Sequence, residues 1–224
     1  MVLHVKTHNN VDSKVGFMES IGSFVNIKSH DFHFHGCSTC EGHCCNGAKG
    51  FAASPLILED FEEVYKNFPI LFSVKEQKLV AYVLLNDGKN YCKYYVNQQC
   101  SIYLQRPPAC KLYPVSPYFE HILIDTACPS VNQESGYSLC RDGQLNSAFA
   151  TKRLENFVEK LEATHAFFES IHNLDHFEYV GDLLGISLLK YTQPSDNQYI
   201  RMHVESLKHF WLYTQTKDQE LEVS

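Results

Sequence analysis

The sequence predicts an α+β protein. A small cysteine-rich, metal-stapled subdomain, with a short antiparallel sheet and one helix, is expected to pack on a C-terminal helical bundle. Three observations carry this expectation. Four of the nine cysteines stand within one short run, Cys37-Ser-Thr-Cys40-Glu-Gly-His43-Cys44-Cys45. All nine cysteines, and every proline except Pro194, fall within residues 31–142. Residues 143–216 have no cysteine and repeat apolar side chains at helical spacing. The chain therefore divides into an N-terminal arm (1–30), a cysteine-cluster domain (31–142) and a helical region (143–224).

In chain order, the weak apolar stretch from Val15 to Ile27 reads as a strand or short arm. Phe61, Val64, Tyr65 and Phe68 recur at i, i+3, i+4 and i+7, which is one face of a helix. Glu59, Asp60, Glu62 and Glu63 lie in its first turns, where the helix dipole favours negative charge, and Pro69 stops it. Residues 79–85 read as a buried strand, residues 86–90 as a turn, and Tyr91 to Val96 as the returning strand. Ile122 to Ile124 reads as a further short strand. Three helical stripes follow. The first is Leu154, Phe157, Val158, Leu161, Phe168 and Ile171; the second is Phe177, Val180, Leu183, Leu184 and Leu188; the third is Ile200, Val204, Leu207, Phe210 and Trp211. Stripes of this kind are core-packing faces, expected to bury one another and to cover one side of the cysteine region.

Composition narrows the function classes. Hydrophobic content of 44% with 20% charged residues describes a globular chain. A formal charge of −7 argues against a general nucleic-acid binder. No uninterrupted apolar stretch is long enough to span a bilayer, so no membrane association is expected. A protein partner is compatible with the charge balance. The N-terminal residues lack an apolar core and a small-residue cleavage site, which points to a cytoplasmic, reducing location. Clustered thiols in a reducing compartment usually hold metal; a disulfide knot or a redox dithiol are the alternatives. Nine is odd, so complete internal pairing is impossible.

The spacing constrains what each thiol can do. C-x2-C lets Cys37 and Cys40 converge on one centre. Cys44 and Cys45 are neighbours and point apart in an extended segment, so they serve two centres, or one binds and the other stands behind it. A regular hairpin turning at residues 97–99 would leave Cys92 roughly 13 Å from Cys100 along the ladder. Either the segment is a tighter knuckle or the two reach different centres. Pro107 and Pro108 stiffen the approach to Cys110. Arg106 is expected to donate to thiolate sulfur or to form an ordinary surface ion pair. His33, His35 and His43 flank the first cluster, and His33 and His35 alternate with Phe32 and Phe34 as on a strand. All-thiolate coordination suits zinc or iron–sulfur, and the adjacent pair tilts the expectation to iron–sulfur.

The string Cys92-x7-Cys100-x-Ile102-Tyr103-x2-Arg106-Pro107-x2-Cys110-x2-Tyr113-Pro114, following C-x2-C and a CC pair, resembles the bacterial CxxCxxCC cysteine-cluster family, described as zinc- or iron-chelating. The resemblance covers about residues 35–130. It implies eight metal ligands: Cys37, Cys40, Cys44, Cys45, Cys92, Cys100, Cys110 and Cys128. The cofactor would be an iron–sulfur cluster of the 4Fe–4S type or zinc. Here three residues, not the usual two, separate Cys40 from Cys44, and Cys140 lies outside the pattern as an ordinary buried thiol. A related cluster occurs in flagellin lysine N-methylases. No Gly-rich nucleotide loop follows a strand here, and no G-x-S-x-G elbow is present. The expected function is therefore a metal-binding redox, sensing or accessory module. A structural zinc module presenting helices to a partner protein, and a methylase-like enzyme, are the alternatives.

Overall fold

The computed structural model describes residues 19–214, except 22, 38–39, 76, 119–120, 133, 150–151 and 172. The first part of the predicted arm, including Val15, and the side chains of Ile171 and Trp211 from the predicted stripes lie outside the described residues. The strands are β1 (Ser20–Ile21), β2 (Phe24–Asn26), β3 (Phe32–Phe34), β4 (Ala53–Pro55), β5 (Ile70–Lys75), β6 (Lys78–Leu84), β7 (Tyr95–Val96), β8 (Gln99–Cys100), β9 (Val115–Tyr118), β10 (His121–Asp125), β11 (Val131–Asn132), β12 (Tyr137–Arg141), β13 (Gln144–Leu145), β14 (Phe177–Leu183) and β15 (Ile186–Tyr191). The helices are α1 (Phe61–Val64), α2 (Pro108–Leu112), α3 (Phe157–Ile171) and α4 (Gln198–Thr214).

These strands form four sheets, ordered β1-β2-β10-β9, β11-β3-β12-β13, β14-β15-β5-β6-β4 and β7-β8. The expected fold class is thereby corrected. The protein is sheet-rich, and no C-terminal helical bundle packs on a small metal subdomain. Instead α3 lies against β6, and α4 against β5 and β15.

The principal correction falls on the second stripe. Phe177, Val180, Leu183, Leu184 and Leu188 belong to the β14–β15 hairpin, not to a helix. Leu184 and Gly185 both have positive φ, 49° and 81°, the backbone of a two-residue turn whose twist suits antiparallel strands. The register also shifts between Tyr179 and Gly181, so the bulge breaks simple alternation and leaves a spacing that imitates a helix.

The strand expected at 79–85 is β6, but its partner is β5 on the N-terminal side, in full register from Ile70↔Val83 to Lys75↔Lys78. Residues 91–96 do not return along it. Only Tyr95 and Val96 are extended, and they pair with β8. The helix expected through Phe68 is a single turn, α1. Beyond it the N–H of Phe68 still donates to the Val64 carbonyl, so Phe61, Val64 and Phe68 all stay buried without a longer helix.

The largest core cluster lies between the five-stranded sheet and the helices, with Phe61, Phe68, Phe72, Phe168 and Ile200 at its centre. Phe72 and Phe168 meet edge-on at 5.0 Å, a favoured aromatic geometry. α3 buries Phe157, Thr164 and Phe168, and the Thr164 hydroxyl accepts the Leu58 N–H at 3.1 Å. α4 departs from its expected stripe. Val204 is exposed, while His203 and Ser206 are fully buried against the sheet. A second cluster, built on Ile27, Phe32, Val115, Ile124 and Leu139, holds the two smaller four-stranded sheets together.

Candidate functional site

The cysteine-rich residues sit where β3, the hairpin β7–β8, α2 and the end of β10 meet. After β3 the chain turns at Cys37, and the Cys40 N–H donates to the Cys37 carbonyl at 3.3 Å. The His43 N–H points at Cys40 Sγ at 3.5 Å. Gly42, with φ of +71°, lies under the ring of Tyr95, where a Cβ would come within 2.2 Å of it. A single 3-10 turn, His43–Cys45, carries the adjacent pair. The Cys92 N–H then donates to the Cys45 carbonyl at 2.7 Å and binds the first cluster to the second.

The expected conflict between Cys92 and Cys100 is resolved by a knuckle. Asn97 and Gln98 both have positive φ, closing a two-residue turn that sets Tyr95 opposite Cys100. The Tyr95 N–H donates to the Cys92 carbonyl, which folds Cys92 back towards the hairpin. Cys110 lies on α2, started by Pro108 at its first position, where a missing N–H costs nothing. Cys128 follows a turn in which its N–H donates to the Asp125 carbonyl.

The eight cysteines expected in the site are linked in pairs as electrostatic neighbours. Cys37 feels Cys44 and Cys40; Cys44 meets Cys45; Cys92 feels Cys100 and Cys44; Cys110 feels Cys44, Cys92 and Cys100; Cys128 feels Cys40 and Cys37. Five separated segments of chain therefore bring these thiols together. Cys140 stands apart, buried in the second core cluster with its Sγ facing the His30 carbonyl.

Burial pushes the thiols of Cys37, Cys92 and Cys110 up, and the neighbouring cysteines add to the effect. Cys44 is raised first by its hydrogen bond to Cys45 and then by burial. Cys128 is pushed up to about 11, mainly by burial, against a hydrogen bond from the Ser130 N–H. These five groups are therefore neutral thiols near pH 7. Arg106 opposes the rise at Cys37, Cys44 and Cys110.

Tyr113 is a member of the site that spacing arguments missed. Its hydroxyl donates to Asp125 Oδ2 at 2.8 Å, and its ring stacks on Phe51 at 5.4 Å. Its place three residues after Cys110, before Pro114, was the available signal. The flanking histidines are poorly partnered: His33 Nδ1 and His43 Nε2 are buried without a hydrogen-bond partner.

The chemistry of the thiols suits zinc or an iron–sulfur cluster, but their arrangement does not. Among the described residues no group of three or more His, Cys, Asp or Glu side chains is set so as to hold a metal ion. Thiolate ligands must converge at about 2.3 Å from one ion, and the described thiols are not set in that way. Among the described residues, no helix is long and apolar enough to cross a membrane.

Fold and site together define a sheet-rich protein with a gathered set of free thiols. The family whose model matches the chain is SapC, over residues 34–181, more than half of the 224 residues, and the chain belongs to the SapC family. This corrects the resemblance to the CxxCxxCC cysteine-cluster family. With the donor geometry, it also overturns the metal-binding function expected from the sequence, together with the zinc-module and methylase-like alternatives. No curated protein and no solved structure matches the chain.

Proposed function

We propose that the thiol site carries out dithiol–disulfide exchange, with Cys37 as the attacking thiol and Cys40 as its resolving partner. The observation that carries this reading is the exposure of Cys37, alone among the nine cysteines, one turn away from Cys40. A turn closed by a hydrogen bond from residue i+3 to residue i brings the two Cα atoms within about 7 Å. Disulfides need about 4.4–6.8 Å. Cys37 and Cys40 can therefore bond with little movement of the backbone.

The Cys37 thiolate attacks one sulfur of a substrate disulfide. A mixed disulfide forms, the substrate S–S bond breaks, and the leaving thiolate takes up the proton that Cys37 released. Cys40 then attacks the Cys37 sulfur, closes the Cys37–Cys40 disulfide and expels the second substrate thiol. The substrate gains two electrons and two protons, and the cysteine pair loses them. Burial leaves the Cys37 thiolate without net stabilisation, and an attacking thiol of that kind lies on the reducing side of such couples, so the pair acts as a donor. The raised Cys37 thiol makes the exchange slow at neutral pH and faster as pH rises, because only the thiolate attacks.

The test is anaerobic reaction of the reduced chain with one equivalent of 2,2′-dithiodipyridine, followed by peptide mapping. A Cys37–Cys40 disulfide, and loss of the fast phase in Cys37→Ser, are expected. An unchanged fast phase in Cys37→Ser overturns the reading. So does anaerobically purified protein whose thiols are already taken up by stoichiometric zinc or by an iron–sulfur chromophore.

A further inference from the structure

A groove of about 270 Å³ lies between α1, α2 and the chain that leads into α3. Arg153 is its buried cation: the side chain is only 9% exposed, and most of its guanidinium is spent. Nε is shared between the two Asp60 carboxylate oxygens at 3.2 and 3.1 Å. Nη2 donates to Asp60 Oδ2 at 3.0 Å and to the Pro55 carbonyl at 3.2 Å. The Phe157 ring lies 4.9 Å from the guanidinium carbon and helps to fix its plane. The two N–H bonds of Nη1 have no partner among the described residues. Nor is Nη1 one of the polar atoms sealed from solvent without a partner, so it opens onto the groove that Arg153 lines. A guanidinium already locked by its own contacts offers these donors with little ordering left to do.

The remaining charges decide what fits. Every carboxylate that lines the groove is answered: Asp60 by Arg153, Glu63 by Lys111, and Glu59 by Lys160. Lys152 also lines it, is exposed, and makes no ion pair among the described residues. The uncommitted groups are therefore both cationic. Pro108 and Leu112 supply an apolar wall. We propose that this groove binds a small monocarboxylate, with its oxygens on Arg153 Nη1 and the Lys152 ammonium and its carbon chain along Pro108 and Leu112. A second negative charge on the ligand is disfavoured, because three carboxylates share the groove with it. The volume falls below the roughly 300–1,000 Å³ of sites for drug-sized ligands, which suits a molecule of a few carbons. No cysteine lines the groove, and binding there is independent of thiol exchange.

The test titrates the full chain with sodium butyrate at constant ionic strength and follows the Arg153 Nε–H and Leu112 backbone N–H resonances by NMR. Both should move along one saturable curve, with a Kd of about 1–10 mM. Inorganic phosphate should bind at least about tenfold more weakly, since its second charge meets the carboxylates. Arg153 is left in place because its loss strands Asp60; Lys152→Glu, at an exposed position, should weaken butyrate about tenfold or more, the size of one charge-assisted contact. Lys75→Glu, an exposed change outside the groove, should leave binding unaltered. The proposal is overturned if neither resonance saturates below about 50 mM butyrate, or if phosphate binds as well as butyrate. It is equally overturned if Lys152→Glu has no effect, or none beyond that of Lys75→Glu.

Discussion

Acid should unfold this protein through one residue, His203. Leu189 and Phe72 are the paired residues between β15 and β5, and by the same antiparallel register Tyr191 stands opposite Ile70. There the imidazole of His203 takes the place of a ladder hydrogen bond. The Tyr191 N–H donates to Nε2 at 3.0 Å, and Nδ1 donates to the Ile70 carbonyl at 2.6 Å. Ser206, one turn on, accepts the Ile70 N–H at 2.9 Å. α4 is thus sewn to two strands by side chains that meet backbone. Nε2 can accept only while it is unprotonated, and burial pushes the imidazole down to about 4, against the opposing pull of the Ile70 carbonyl. In the unfolded chain the same group titrates near 6.5. Between these values the unfolded chain binds the extra proton, so stability is full above about 6.5 and falls as pH drops towards about 4. That interval corresponds to roughly 3 kcal/mol, a large share of a domain stability of about 5–15 kcal/mol. Urea unfolding of the unmodified chain and of His203→Gln, followed from about pH 7.5 to about pH 4.5, measures it. The variant should begin less stable and lose much less on acidification. An identical acid slope in both proteins would refute the reasoning.

Two further outcomes follow from packing. Arg153→Met should cost about 3–5 kcal/mol in denaturant unfolding, because it strands the buried Asp60 carboxylate that Arg153 grips through Nε and Nη2; adding Asp60→Asn should recover part of that loss. Gly42→Ala should lower stability by about 1–3 kcal/mol, since it strains a left-handed position and drives a Cβ into the Tyr95 ring; a thermal melt in a Tyr95→Ala background should show a smaller penalty.

The strands and helices with a single clear period were legible residue by residue. β6 and β10 follow from short apolar runs, and α3 and α4 from their stripes, because burial of one face imposes a period that the sequence must carry. The Phe177–Leu188 stretch was not legible. A bulge and a two-residue turn leave its apolar residues at spacings that fit a helix as well as a hairpin, and only pairing with β5 distinguishes them.

What the sequence determined by itself is local: which residues seek burial, where glycine and proline force a turn, and which segments carry thiols. The tertiary structure alone decided partnership. β6 pairs backwards with β5 because Pro69 ends the preceding turn and frees an apolar strand that no local period announced. α4 meets the sheet through His203 and Ser206 as well as through Ile200, Leu207 and Phe210 of its apolar stripe, because two backbone groups at Ile70 needed partners and a buried N–H or C=O left unpaired costs more than a polar helix face. The thiols likewise share a place but not a metal geometry. Spacing along the chain limits how far apart sulfurs can lie, whereas the direction in which each one points is set by the turns and sheets that carry it.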